Sequence, residues 1–221
     1  EKISVTVNTS ESVNVVTTGG TPFFNIDVGG TTKQAAYVSG TGSLALIFEY
    51  TIASGDSDAS GGITALANAL NLNSGTIRDA AGNNLNTSTS AITAGTNAIV
   101  VDGNAPTLTI TDNVPGTAKI GDTVIFTFTF SEAVTGFDTN KVTVGNGNKG
   151  TFTASSSTVY TLVVTPTNAT SGNVTVDVST TGVTDSAGNQ ATAPSQYTQV
   201  FDTLAPNAPS ITSITDDIGT I

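Results

Sequence analysis

Cysteine, histidine, tryptophan and methionine are all absent from this 221-residue chain. Without cysteine there is no disulfide framework and no thiolate metal site, and the lack by itself fixes no compartment. Without histidine or cysteine, an enzyme here would need paired carboxylates of the glycosidase kind or a Ser–Lys site. No Lys–Ser arrangement of that sort presents itself, so the chain reads as non-catalytic. Basic residues are scarce, six against seventeen acidic, for a net charge of −11. That balance disfavours nucleic acid and anionic membrane surfaces, both of which need a basic face. No apolar run reaches transmembrane length, so no membrane insertion is expected. No signal peptide stands at Glu1, and the stretch reads as an internal fragment of a longer chain.

Thr, Ser, Gly, Asn and Val dominate instead, which is the chemistry of β-sandwiches with turn-rich connections. Alternation marks the strands. Ile3, Val5 and Val7 alternate with polar residues up to Ser10-Glu11. Phe23–Val28 and Thr32–Val38 flank Gly29-Gly30, and Leu44, Leu46, Phe48, Tyr50 and Ile52 alternate over nine residues. Ala98–Val101 closes this half. In the second half Val124, Phe126, Phe128 and Phe130 alternate up to Ser131-Glu132. Tyr197–Phe201 closes it. Only Thr64–Asn71 (TALANALN) reads as briefly helical.

The chain repeats itself. ISVTVNTSESV (3–13) lies over VIFTFTFSEAV (124–134), and RDAAGNN (78–84) over TDSAGNQ (184–190). VVDGNAP (100–106) lies over VFDTLAP (200–206). Each of these last stretches leaves a β-rich run, passes an Asp and stops at a Pro, which removes a backbone donor and ends the strand. They read as linkers between tandem domains of about 100 residues. The expected division is 1–102, 103–202, and a tail 203–221 whose Ala208–Ile214 resembles the first strand of a third repeat. The first motif aligns with the second strand of the second repeat. Domain one is therefore expected to lack its first strand, and the tail near Ser210–Ile214 either to lie extended and poorly ordered or, through 208–214, to add to a sheet of a neighbouring molecule.

Both units resemble the bacterial immunoglobulin-like domains strung in tandem on giant secreted adhesins of the RTX and biofilm-associated type. SESV and SEAV, DAAGN and DSAGN, and the Asp-x-x-Ala-Pro linkers carry the resemblance, along with GTGSLALIFEYTIASGDSDASGG. It implies an all-β fold of two tandem immunoglobulin-like Greek-key sandwiches joined end to end. It implies calcium (Ca2+) at the domain junctions, a place on the bacterial cell surface or outside the cell, and a role as extender or stalk beside adjacent repeats of the same chain. A carbohydrate-binding module is the rival reading, though such modules usually display exposed aromatics.

In a seven-stranded Greek key, the linker leading in and the loops after strands two, four and six share one pole. Asp102 and Asn104 in the linker, Glu132 after strand two, Asp138 before strand three, and Asp185 and Asn189 in the last loop then converge. Calcium takes six to eight hard oxygen ligands from such groups. Asp56 and Asp58, spaced i, i+2 in the loop Gly55–Gly62, are candidates from domain one. Glu11, Asp79 and Asn83 are the counterparts in the first repeat, and Asp202 in the second linker. Asp79 and Asp185 serve equally well as turn-capping residues. Asp102 is the strongest candidate, because a linker Asp has little structural work otherwise.

Overall fold

The computed structural model describes residues 1–59, 62–93 and 99–214. Part of the loop at 55–62, Ala98 at the start of the first closing strand, and the end of the tail lie outside the described residues. Among the described residues every regular element is a strand apart from one 3₁₀ turn at Thr139–Lys141. No described helix is long and apolar enough to cross a membrane. The chain divides into Glu1–Ala105 and Pro106–Ile221. The first unit holds β1 (Lys2–Val16), β2 (Phe23–Val28), β3 (Thr31–Ser39), β4 (Ser43–Thr51), β5 (Ser57–Asp58), β6 (Thr64–Asn71), β7 (Thr76–Asp79), β8 (Ile92–Thr93) and β9 (Val101–Asp102). The second holds β10 (Leu108–Asp112), β11 (Ala118–Lys119), β12 (Val124–Phe130), β13 (Val142–Gly145), β14 (Gly147–Ala154), β15 (Val159–Pro166), β16 (Ser171–Val178) and β17 (Tyr197–Asp202).

The second unit is a two-sheet sandwich. One sheet runs β10-β12-β15-β14 and the other β11-β17-β16-β13. Side chains alternate across a strand, so the apolar residues of VIFTFTF fall on one face. Val124, Phe126, Phe128 and Phe130 are accordingly buried, at 0–2% exposure. Phe137, from the connection after β12, inserts among them, with ring centroids 5.1 Å from Phe130, 5.4 Å from Phe128 and 5.0 Å from Tyr160. These edge-to-face contacts are favoured by the ring quadrupoles. On the outer side of β12 lies β10, in the register Leu108↔Phe130 to Asp112↔Phe126.

The first unit repeats part of the plan with a different connectivity. Its strands form a continuous sheet in the order β7-β1-β4-β3-β2-β6-β8, with β5 and β9 paired separately. Continuity comes from the β2–β3 hairpin, in which Gly29 and Gly30 take φ of +57° and +84° between the paired Val28 and Thr31. A two-residue loop with both φ positive matches the twist of the strands, and glycine adopts it without strain. β1 pairs with β4 along Lys2–Asn8 and, beyond an irregularity, with β7 along Val13–Val16. No described residue pairs with the other edge of Lys2–Asn8. There Val5, Val7 and Thr9 are only half-buried, where the matching Phe126, Phe128 and Phe130 are enclosed.

One expectation needs correction. Thr64–Asn71 is a strand, not a helix. Leu66 and Leu70 stand four apart and Ala and Leu favour helix, but pairing with β2 overrides that local preference. Phe24 pairs with Leu70 and Ile26 with Ala65, and the register shift between them leaves Asn68 at φ +53°. Residues 207–214 form no strand, and Ile211 and Ile214 are 83% and 89% exposed. A strand is held by its neighbours, and this one has none within its own unit.

Candidate metal centre

The loop DSAGN closes on itself through Asp185. Its carboxylate accepts the Asn189 backbone N–H at 2.9 Å and the Asn189 side-chain amide at 2.9 Å. Its own N–H returns to the Asn189 carbonyl at 3.2 Å. The same three bonds join Asp79 and Asn83, at 2.8, 2.7 and 3.1 Å. Both Asp residues thus do turn-capping work. Burial pushes the Asp185 carboxyl up, and the bonds from Asn189 outweigh it and hold the group below the usual carboxylate range. The bonds from Asn83 do the same for Asp79. A carboxylate has about four lone-pair sites, so capping leaves room for a cation.

Glu132 follows the end of β12. Its neighbour Ser131 accepts the Thr107 N–H on its hydroxyl at 3.0 Å and donates its own N–H to the Thr107 carbonyl at 2.9 Å. A bridge between Thr135 and Thr184 draws this segment onto the DSAGN loop. A carboxylate oxygen of Glu132 then lies within 4.8 Å of one of Asp185. Asp185 is only 4% exposed. Two like charges so placed repel, and a hard cation between them would relieve this. Calcium–oxygen bonds of about 2.3–2.6 Å allow ligand oxygens up to about 5 Å apart, so the pair fits one ion. In the first unit Glu11, Asp79 and Asn83 line a common cleft with Asn84 and Asn86. The matching Glu and capped Asp of the first repeat thus line one cleft.

The other candidates are placed as follows. Asp102 ends β9 opposite Ser57, and its carboxylate accepts the Asn104 N–H at 3.1 Å. Asp202 ends β17 and accepts the Leu204 N–H at 3.0 Å, the same turn in the second linker. Asn104 is exposed. Asp138 caps the 3₁₀ turn through the Asn140 N–H at 2.7 Å. Asp58 is buried and faces the Gly29 N–H at 3.4 Å.

Asp56 is spent on the interior of the first unit. Its carboxylate pairs with the Lys33 ammonium at 2.7 Å and accepts the Tyr50 hydroxyl at 2.6 Å and the Ala53 N–H at 2.8 Å. Its backbone carbonyl accepts the Gly103 N–H at 2.7 Å, which ties down the residue after β9. Burial pushes this carboxyl up, but Lys33, Tyr50 and Ala53 together hold it at about 2. The sequence reading missed Lys33 and Tyr50. The signal was there: Lys33 shares its strand face with Ala35 and Tyr37, and Tyr50 shares its own with Leu46 and Phe48.

None of the nine Phe and four Tyr residues is exposed. The described surface therefore offers no aromatic platform of the kind on which a sugar ring stacks.

Residues 102–200 match the family model of the bacterial Ig-like domain. The second unit is thus similar to a bacterial Ig-like domain, and the all-β fold of the chain is consistent with tandem Ig-like β-sandwiches. No curated protein matches the chain. Domains of this family are generally non-catalytic, and their architecture is compatible with an extender or stalk repeat.

Proposed function

We propose that these units are extender repeats of a bacterial cell-surface adhesin, stiffened by calcium at the repeat junction and serving adhesion and biofilm formation. The observation that carries the reading is the Glu132–Asp185 carboxylate pair at one end of the second unit, repeated as Glu11 and Asp79 in one cleft of the first. Asp102 would complete the set, with Asn189 contributing an amide oxygen. Thr107 is fastened beside Glu132 through Ser131. Five residues of chain from there to Asp102 span at most about 18 Å, so Asp102 is within reach of the pair. The ion's contribution is purely structural: it neutralises the carboxylates and ties the linker to the domain that follows.

Extracellular calcium modules bind with Kd of about 10⁻⁴–10⁻³ M. At about ten times Kd the ion stabilises by roughly 1.4 kcal/mol. Calcium is therefore expected to raise the melting temperature and to narrow the spread of inter-domain angles seen by small-angle scattering. Asp102→Ala and Glu132→Ala should mimic chelation. Asp177→Ala should not, because that exposed side chain in β16 binds the Gln196 amide. Scattering and melting curves indifferent to calcium would refute the reading.

A further inference from the structure

In the second unit the chain passes from β13 in one sheet to β14 in the other through a single residue, Asn146. Its φ is +56°, a conformation that Asn and Gly adopt more readily than other residues. Residue 147 has to be glycine, because a Cβ there would meet Val164 Cγ1 at 2.7 Å. The crossing therefore selects the dipeptide Asn-Gly, which occurs nowhere else in the chain. It is also a labile pair, since glycine has no side chain to shield its nitrogen from the preceding amide carbon.

Both reacting groups lie on the open side of the sheet. Asn146 is exposed, and its amide Nδ2 donates to the Asn173 carbonyl at 2.9 Å. Gly147 pairs with Pro166, which has no N–H, so the two form a non-hydrogen-bonded pair of the ladder. The adjoining bond runs from the Thr167 N–H to the Asn146 carbonyl at 3.1 Å. The Gly147 N–H therefore turns away from β15, towards the outer edge of the sheet, where β14 is the last strand. The one Asp-Gly pair, Asp102-Gly103, is placed differently. Its glycine nitrogen donates to the Asp56 carbonyl at 2.7 Å and is held from attack.

We propose that Asn146 is a self-modification site, at which the Gly147 nitrogen attacks the Asn146 amide carbon. The nitrogen gives up its proton to solvent, the N–Cγ bond forms, and the Cγ–Nδ2 bond breaks. Ammonia leaves with a proton from solvent, and the ring closes as a succinimide. Water then opens the ring at one of its two carbonyls, giving aspartate or isoaspartate, so each conversion consumes one water and releases one ammonia. Either product sets a carboxylate against the Asn173 carbonyl in place of a donor. Isoaspartate also lengthens the main chain where Gly147 packs against Val164. The converted second unit is therefore less stable than the original.

The full chain is incubated in mildly alkaline buffer made with heavy-oxygen water, and its peptides are mapped by mass spectrometry. The peptide holding Asn146 should resolve into aspartate and isoaspartate forms, each about one dalton heavier than the amide before the label is counted. One heavy oxygen should enter at residue 146, and uptake at Asp102 should lag behind. Asn146→Gly keeps the backbone conformation and should abolish the change in that peptide. Asn146→Asp should melt below the wild type, as the converted fraction does. A free peptide of residues 142–149 sets the time scale. An Asn146 that stays intact in the folded chain after this peptide has fully converted overturns the proposal. So does label entering Asp102 as fast as residue 146.

Discussion

Replacing Asp56→Asn removes one charge from the interior of the first unit and keeps the side chain's size. The wild-type carboxylate is 5% exposed and held by Lys33, Tyr50 and Ala53. Those partners outweigh the burial penalty and lower its pKa from 3.8 to about 2. At 1.36 kcal/mol per unit, that preference for the ionised form is worth about 2 kcal/mol of stability. Breaking a fully buried ion pair costs about 3–5 kcal/mol. The Lys33 side chain is 26% exposed and can turn to water, which keeps the expected loss nearer 2. A lowered folded-state pKa contributes in full above the unfolded value of about 3.8, and the contribution fades as pH falls through about 2. The gap between wild type and variant should therefore be about 2 kcal/mol at pH 6 and close almost entirely by about pH 1.5, with a slope no steeper than about 1.4 kcal/mol per pH unit. The chain has no Trp, so urea unfolding is best followed by far-ultraviolet circular dichroism, with hydrogen exchange assigning each transition to its unit. A gap below 0.5 kcal/mol at pH 6 (about the scatter of ordinary surface substitutions), or one that does not change with pH, would refute the reasoning.

Three further outcomes are expected. Phe137→Ala empties the centre of the second unit's aromatic cluster and should cost about 3–5 kcal/mol in that unit's urea transition, leaving the first unit's unchanged. Gly29→Ala sets a side chain at φ +57° against the Ser57 carbonyl, so the first unit should lose more than about 1 kcal/mol by thermal melting. Asp185→Ala removes two caps and leaves the Asn189 amide unmatched; the second unit should lose about 1–2 kcal/mol even in chelator, and calcium should no longer raise its melting temperature.

The sequence showed best where local pattern and tertiary role coincide. Alternation in VIFTFTF and LALIFEY produced strands because the face it defines is the face that is buried, and Gly29-Gly30 separated two strands because the turn between them requires two positive φ angles. Thr64–Asn71 was misread because Ala and Leu speak for helix locally, while the deciding contact with β2 lies some forty residues away. In the site, the DSAGN and DAAGN turns were legible from their spacing alone. The engagement of Asp56 was not, since its partners Lys33 and Tyr50 come from two other strands and a loop Asp looks alike whether it faces water or an ammonium. Phe137 escaped notice because it stands alone in a polar connection, with no periodicity to show that it points inward.

The parallel pairing of β11 with β17 bears on how such a domain responds to pulling. Tension applied through the chain ends draws the early strand one way and the last strand the other. Strands paired in parallel at opposite ends of the chain are then sheared along their length, and their hydrogen bonds break together instead of unzipping one by one. Ala118↔Phe201 and Lys119↔Asp202 form that clamp in the second unit. Stretched in a force spectrometer, the second unit should rupture at a load that falls when this pairing is broken, and an unchanged rupture force would show that the clamp does not matter. A repeat built this way holds its length under tension until the clamp gives, and only then extends.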